Sequence, residues 1–241
     1  MKADLFKLEM TSAKIIILDK TNGLFHLHVI QFIINYNHLL STTAMTSGTI
    51  IFLNGTSSSG KTTILKNLQQ KLDLPFLELG LDKFIWMLPR RYFNQPLWDD
   101  VLGKANAAGQ LGHQLVFAMH RSIHAAAKTG LNILADHVFV EPDWVRDCAV
   151  LFHNFNAYLV GVRCDLSILE EREKSRKDRT LGQARLQYEK VHAHGIYDFE
   201  VDSGKHSAEE NARQIIDFLN SGTPPRAFNH LSSSLSDNLK I

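Results

Sequence analysis

The amino-acid sequence predicts an α/β fold in which a central parallel sheet of five strands is flanked by helices and closed by a helical lid. The first observation is a set of continuous apolar runs, which are typical of strands buried on both faces of a parallel sheet. The second is that amphipathic segments separate these runs, as in successive β-α-β units. The third is a glycine-bounded turn after the first run. The predicted strands are residues 49–54, 76–80, 131–136, 158–164 and 196–202.

The glycine-bounded turn matches the phosphate-binding pattern G-x-x-x-x-G-K-[ST]. In this pattern backbone N–H groups surround the phosphates, the lysine reaches the β and γ oxygens, and the last hydroxyl helps to hold Mg²⁺. The glycines allow a close backbone approach, and the start of the next helix favours an anion. Lys61 is therefore a predicted catalytic residue and Thr62 a predicted Mg²⁺ ligand. The predicted nucleotide-binding residues are Gly55, Thr56, Ser57, Ser58, Ser59, Gly60, Lys61, Thr62 and Thr63.

The segments on either side support this interpretation over a surface loop rich in serine and glycine. Residues 50–53 form an apolar strand before the turn, and an apolar stripe runs through residues 64–72 after it. A phosphate loop needs this strand and this helix. The sequence therefore predicts a nucleoside triphosphate site in a P-loop NTPase or kinase fold.

Composition limits the remaining classes of function. The chain has 241 residues, of which 44% are hydrophobic and 21% charged, so it can bury one sizeable core. A formal net charge of +1 does not favour a nucleic-acid partner or an anionic membrane surface. The two cysteines, Cys148 and Cys164, match no metal motif and fit buried free thiols in a reducing cytoplasm. We expect a cytoplasmic protein, and its oligomeric state stays open.

Both ends of the chain differ from its centre. The apolar stretch of residues 24–40 is interrupted by polar side chains, so we predict no membrane span and no secretory signal. Residues 1–44 are interpreted as an N-terminal extension. Either they belong to the native protein, or that protein begins at Met45. The predicted kinase domain is residues 45–221, and residues 222–241, which are rich in proline and serine, are predicted to be a flexible tail.

Asp82 follows the second predicted strand, close to an aromatic cluster. Ligands of parallel α/β sheets collect at the carboxyl ends of the strands, so this acid is a candidate base in a substrate pocket. Phe84, Trp86 and Met87 are the predicted walls of that pocket. The alternative is that Asp82 caps the following helix.

Asp136 ends the third predicted strand. An acid at this place would contact a substrate hydroxyl or hold Mg²⁺ through a water molecule, and the alternative is a turn or capping residue. His113, His120 and His124 lie on a helix predicted over residues 105–128. They are interpreted as residues of the surface or the edge of the core rather than as metal ligands.

A run of charged residues at 170–179 is the only concentrated charge patch in the chain. Such a run is ordinarily a solvated helix face. Downstream of a phosphate loop, its arginines could instead form a lid that stabilises the charge of the transferring phosphoryl group.

The same motifs, in the same order, resemble those of the chloramphenicol phosphotransferase family of P-loop kinases. The matching segments are residues 51–62, 79–82, 135–139, 160–165, 171–173, 176–179 and 197–202. The resemblance implies that Asp82 accepts the proton of the acceptor hydroxyl and that Arg176 and Arg179 are catalytic lid residues. It also extends to Arg172 as a nucleotide-binding residue. Lys177 departs from the family pattern, in which a glycine is expected between the two lid arginines.

The resemblance further implies an ATP- and Mg²⁺-dependent kinase that phosphorylates a small hydroxylated molecule, with chloramphenicol as the named acceptor. Another small hydroxylated metabolite is the alternative, because the side chains of the pocket can change while the phosphate machinery stays. A regulatory nucleotide switch is the other class considered. It is disfavoured because the chain has no N-K-x-D tetrapeptide for reading guanine.

Overall fold

The computed structural model describes residues 46–94, 109–175 and 181–237. The N-terminal residues 1–45 lie outside the described residues, and so do Arg176, Lys177 and Arg179 of the predicted lid. Among the described residues, no helix is long and apolar enough to cross a membrane.

Five parallel strands form the centre of the fold, which confirms the predicted sheet. The strands are β1 (Ile50–Asn54), β2 (Phe76–Glu78), β3 (Asn132–His137), β4 (Ala157–Arg163) and β5 (Phe199–Asp202), in the spatial order β2-β3-β1-β4-β5. The helices are α1 (Lys61–Lys71), α2 (Leu81–Trp86), α3 (Gln110–Lys128), α4 (Pro142–Phe152), α5 (Leu166–Ser175), α6 (Gln183–Tyr188), α7 (Ala208–Asn220) and α8 (Ala227–Asp237).

Alternating side chains of β1 supply both faces of the sheet, because successive strand residues point to opposite sides. Ile50 and Phe52 pack into a core formed with α3, α4 and α8. Ile51 and Leu53 pack into a second core with α1 and α7. Since both faces are covered, β1 is a continuous apolar run, and its carboxyl end lies at the middle of the sheet edge.

The prediction of a flexible tail from residue 222 is wrong for Ala227–Asp237, which form α8. Ala227, Phe228 and Leu231 are buried in the core shared with α3 and α4. The first turn is held by Asp198, whose Oδ1 accepts hydrogen bonds from the backbone N–H groups of Arg226 (2.6 Å) and Ala227 (2.9 Å). Ala227, Phe228 and Leu231 occupy positions i, i+1 and i+4 of one helix face. The helix was not predicted because serines follow these three apolar residues directly.

We expect the substitution Phe228→Ala to lower the free energy of unfolding by about 3–5 kcal/mol, the usual cost of removing a buried phenyl ring. Phe228 is 2% exposed, and its ring lies 5.5 Å from that of Phe52 and 5.9 Å from that of Phe152. Urea denaturation would measure the change. Asn229→Ala, on the exposed side of the same helix, is the control and should stay within about 0.5 kcal/mol of the parent. Equal effects of the two substitutions would contradict the docking of α8.

Candidate active site

The phosphate loop joins β1 to α1, as the sequence predicts. Gly60 has a φ of 81°, a left-handed conformation that suits glycine, and Ser58 adopts a φ of 64°. The Lys61 ammonium group donates to the carbonyl oxygens of Gly55 at 2.7 Å and Thr56 at 2.6 Å. The loop therefore curls around its own lysine.

The hydroxyl groups of three successive serines in this loop are buried and hydrogen-bond to no described residue. These are Ser57, Ser58 and Ser59. A buried hydroxyl without a partner loses the hydrogen bonds that it would make to water. Such groups fit a loop that is completed by an oxygen-rich ligand.

A cavity of about 410 Å³ lies along the loop, over the carboxyl ends of β1 and β3. Most of the site residues that the sequence predicts line it, including the loop lysine, both candidate acids and the arginine of α5. The predicted residues that line it are Ser57, Ser58, Gly60, Lys61, Thr62, Thr63, Asp82, Asp136 and Arg172. Gly55, Thr56 and Ser59 are buried and do not line it.

The two candidate acids reach this cavity from neighbouring strands. Gly80 packs so closely on Asp136 that an added Cβ atom would lie 1.6 Å from Asp136 Oδ1. Burial raises the pKa of Asp136, the charge of Lys61 opposes that rise, and Asp82 and Glu78 add to it. The two acids and the lysine all line this cavity.

Asp82 lies in the first turn of α2 and does not cap it, because the N-cap residue is Gly80. The capping alternative for Asp82 is therefore set aside.

Three residues predicted as pocket walls are not brought to this cavity. Phe84 is buried in the core, whereas Trp86 and Met87 are 65% and 68% exposed. The reason is helical periodicity, since Leu81 and Ile85 share the cavity face of α2 and the predicted residues point elsewhere. Further apolar residues of the wall come from the segment after β3: Val138, Val140 and Trp144. Ile64 of α1 and Ala208 of α7 also line the cavity.

Arg172 of α5 lines the opposite end of the cavity. Its Nη2 donates to the carbonyl oxygen of Ser203 at 2.7 Å, which holds the guanidinium group against the loop after β5. Next to it, buried Glu173 accepts hydrogen bonds from the backbone N–H groups of Gly182 (2.7 Å) and Ala184 (2.9 Å). These contacts join α5 to α6 on either side of the predicted lid segment.

A buried chain of hydrogen bonds beside the cavity was missed by the sequence analysis. Asp147 Oδ2 lies 2.6 Å from His120 Nδ1, and His120 Nε2 lies 2.9 Å from His137 Nε2. His137 Nδ1 accepts from the Val138 N–H at 2.8 Å, so the chain is satisfied with both rings neutral. Burial lowers the pKa of His120 and, more strongly, that of His137.

Only the position of His137, directly after Asp136, could have indicated that it lines the site. His120 is fully buried, and His113 Nδ1 accepts a hydrogen bond from Trp144 Nε1 at 3.0 Å.

Over the described part of the chain, no group of three or more His, Cys, Asp or Glu residues could hold a metal ion.

A phosphate loop at the carboxyl end of the central strand, with an acid on the neighbouring side of the same cavity, defines a phosphotransferase of the P-loop kinase fold. More particularly, the chain belongs to the family described as chloramphenicol phosphotransferase-like protein, whose model matches residues 48–220. Membership of this family makes the protein an enzyme that transfers a phosphoryl group to a hydroxyl.

One relative is the Mycobacterium tuberculosis protein named "Putative O-phosphotransferase Rv2636". It is 31% identical over 206 residues, which cover 80% of this chain and 92% of the relative. A sugar kinase from Janibacter sp. HTCC2649 has a similar fold, with a TM-score of 0.54 and 15% identity over 72% of this chain and 95% of that one. Shikimate kinase from Acinetobacter baumannii gives a TM-score of 0.52 and 14% identity over 75% and 97% of the two chains. The solved structures support the fold alone.

Proposed function

We propose that this protein is an ATP-dependent kinase that transfers the γ-phosphoryl group to a hydroxyl of chloramphenicol, which would inactivate the antibiotic. The observation that carries the proposal is that Lys61 and Asp82 line one cavity with the phosphate loop. This arrangement brings a phosphate-binding cation and a candidate proton acceptor to the same reacting centre. The proposed partner is a small molecule rather than a nucleic acid or a membrane.

The loop fits the phosphates of a nucleotide. Lys61 would hold the β and γ oxygens, and backbone N–H groups of the loop after Ser57 would surround the phosphates. Thr62 lines the same cavity and would hold Mg²⁺ through its hydroxyl, with Asp136 acting through water. Bound ATP would supply the transferable phosphoryl group. Arg172, and by resemblance Arg176 and Arg179, would add positive charge around it.

The acceptor end of the cavity fits an uncharged molecule with an apolar body. Its walls include Leu81, Ile85, Val138 and Trp144, which exclude water from the reacting atoms. Asp82 would hold the acceptor hydroxyl and take its proton as the new bond to phosphorus forms. Chloramphenicol has an aromatic ring and hydroxyl groups, so its chemistry is compatible with this wall.

We propose the cytoplasm as the place of action. Cys148 and Cys164 are both free and buried, which is compatible with a reducing compartment. The assembly state is left to measurement by light scattering.

The direct test is to incubate the purified protein with ATP, Mg²⁺ and chloramphenicol and to follow the mass of the drug. We expect the drug to gain one phosphoryl group while one ADP is formed for each molecule modified. Omitting the drug is the control and should leave ATP consumption near background. An unmodified drug would overturn chloramphenicol as the acceptor, and phosphorylation of another small hydroxylated molecule would then identify the alternative substrate.

A further inference from the structure

Two glutamine side chains of α6 line the cavity and have no part in the mechanism above. Gln183 and Gln187 are four residues apart, so they lie on one face of the helix. Both line the cavity, and they are only 8% and 6% exposed. The polar atoms of these amides open onto the cavity, where they can form hydrogen bonds to a ligand.

The orientation of the Gln187 amide follows from its one hydrogen bond. Its Oε1 accepts from the backbone N–H of Ser57, in the phosphate loop, at 2.7 Å. A backbone N–H can only donate, so the oxygen must face the loop and the NH₂ group must point away from that N–H. Within the described residues, neither this NH₂ group nor the amide of Gln183 has a hydrogen-bond partner.

The amides lie at the phosphate end of the cavity. Ser57, which Gln187 holds, directly follows Gly55 and Thr56, and the carbonyl oxygens of these two residues bind the Lys61 ammonium group. The lysine of a phosphate loop serves the β and γ phosphates. The NH₂ group of Gln187 is therefore expected close to the terminal phosphates rather than to the nucleotide base.

The backbone that carries the amides is held firmly. The buried Glu173 carboxyl accepts from the N–H groups of Gly182 and Ala184 at 2.7 and 2.9 Å, on either side of Gln183. On the outer side of α6, Arg185 pairs with Glu170 at 2.6 Å. Donors held in place before a ligand arrives lose little freedom when it binds.

We propose that Gln187, supported by Gln183, is a nucleotide-binding residue that donates a hydrogen bond to the terminal phosphoryl group while its oxygen holds the phosphate loop at Ser57. This inference rests on the proposed nucleotide-dependent function, and it adds a binding role for α6. It also gives the enzyme a way to distinguish a loaded triphosphate from the diphosphate product.

The substitution Gln187→Glu tests the NH₂ group of this amide separately from its oxygen. Glutamate keeps an oxygen for the Ser57 N–H, but it replaces the NH₂ donor with a negatively charged acceptor. We expect the dissociation constant of the non-hydrolysable ATP analogue AMPPNP to rise at least about tenfold, the scale of one hydrogen bond to a charged group. The dissociation constant of ADP should change much less. Titration calorimetry with Mg²⁺ measures both without an acceptor.

Gln70→Glu, on the exposed surface of α1, introduces the same charge outside the cavity and should leave both dissociation constants unchanged. Gln183→Glu is the second variant, since Gln183 forms no hydrogen bond with the loop in the described part of the chain, and it should weaken AMPPNP binding in the same sense. Unchanged binding, or equal weakening of AMPPNP and ADP, in both cavity variants would overturn the inference. A parent protein that binds neither nucleotide would instead overturn the proposed function.

Discussion

The substitution Lys61→Met is expected to abolish measurable phosphoryl transfer, with a fall in kcat of at least about 10²–10³-fold. Lys61 is buried in the loop, where its ammonium group bonds to the carbonyl oxygens of Gly55 and Thr56 at 2.7 and 2.6 Å. Phosphoryl transfer spreads negative charge over the phosphate oxygens, and catalysis depends on fixed positive charge close to them. Methionine is an unbranched side chain of similar size, and it removes both the charge and the hydrogen-bond donors of the ammonium group.

Steady-state turnover with a confirmed acceptor measures this effect, and circular dichroism checks that the variant is folded. Lys66→Met is the matched control, because Lys66 is exposed on the same helix and should give the turnover of the parent. Full activity of the Lys61 variant would remove the phosphate loop from the mechanism. A loss in both variants would point to damage in α1 instead.

Replacing Asp82 with asparagine is expected to lower kcat by about 10²-fold or more while the affinity for ATP stays nearly intact. Asparagine preserves the size of the side chain and cannot accept the proton of the acceptor hydroxyl. Asp82 lines the cavity from the first turn of α2, on the side away from Arg172 and the loop after β5. The loss should therefore appear in turnover rather than in nucleotide binding.

The comparison needs turnover and the dissociation constant of AMPPNP for the same protein preparation. Asp73→Asn removes an exposed carboxyl group just before β2 and should match the parent in both measurements. A kcat unchanged in Asp82→Asn would show that Asp82 is not the base. A large loss of nucleotide affinity would assign it to the phosphate or Mg²⁺ site.

Local patterns in the sequence were sufficient to predict the sheet and the phosphate loop. The strand, turn and helix around Gly60 are contiguous, so their residue types report directly on their backbone angles and burial. Asp82 and Asp136 could also be proposed, because parallel strands bring their carboxyl ends to one edge of the sheet.

Other features depend on which face of a helix meets the core, and local composition predicted these wrongly. Phe84, Trp86 and Met87 follow Asp82 closely in the chain, but the turn of α2 directs Leu81 and Ile85 to the cavity instead. Likewise, the sequence of α8 is rich in serine and was predicted to be a flexible tail. Its place in the core is evident only from the packing of Phe228 on Phe52 and Phe152.

The sequence by itself determined the class of protein, since the loop pattern and the ordered family motifs are local and specific. Only the tertiary structure decided which distant polar groups meet. The Gln187 amide reaches the Ser57 N–H, 130 residues earlier in the chain, and Asp147 reaches His137 through His120. Such contacts arise when separate helices pack against one edge of the sheet. They could not be predicted from this sequence, because the residues involved belong to no motif and follow no periodic pattern.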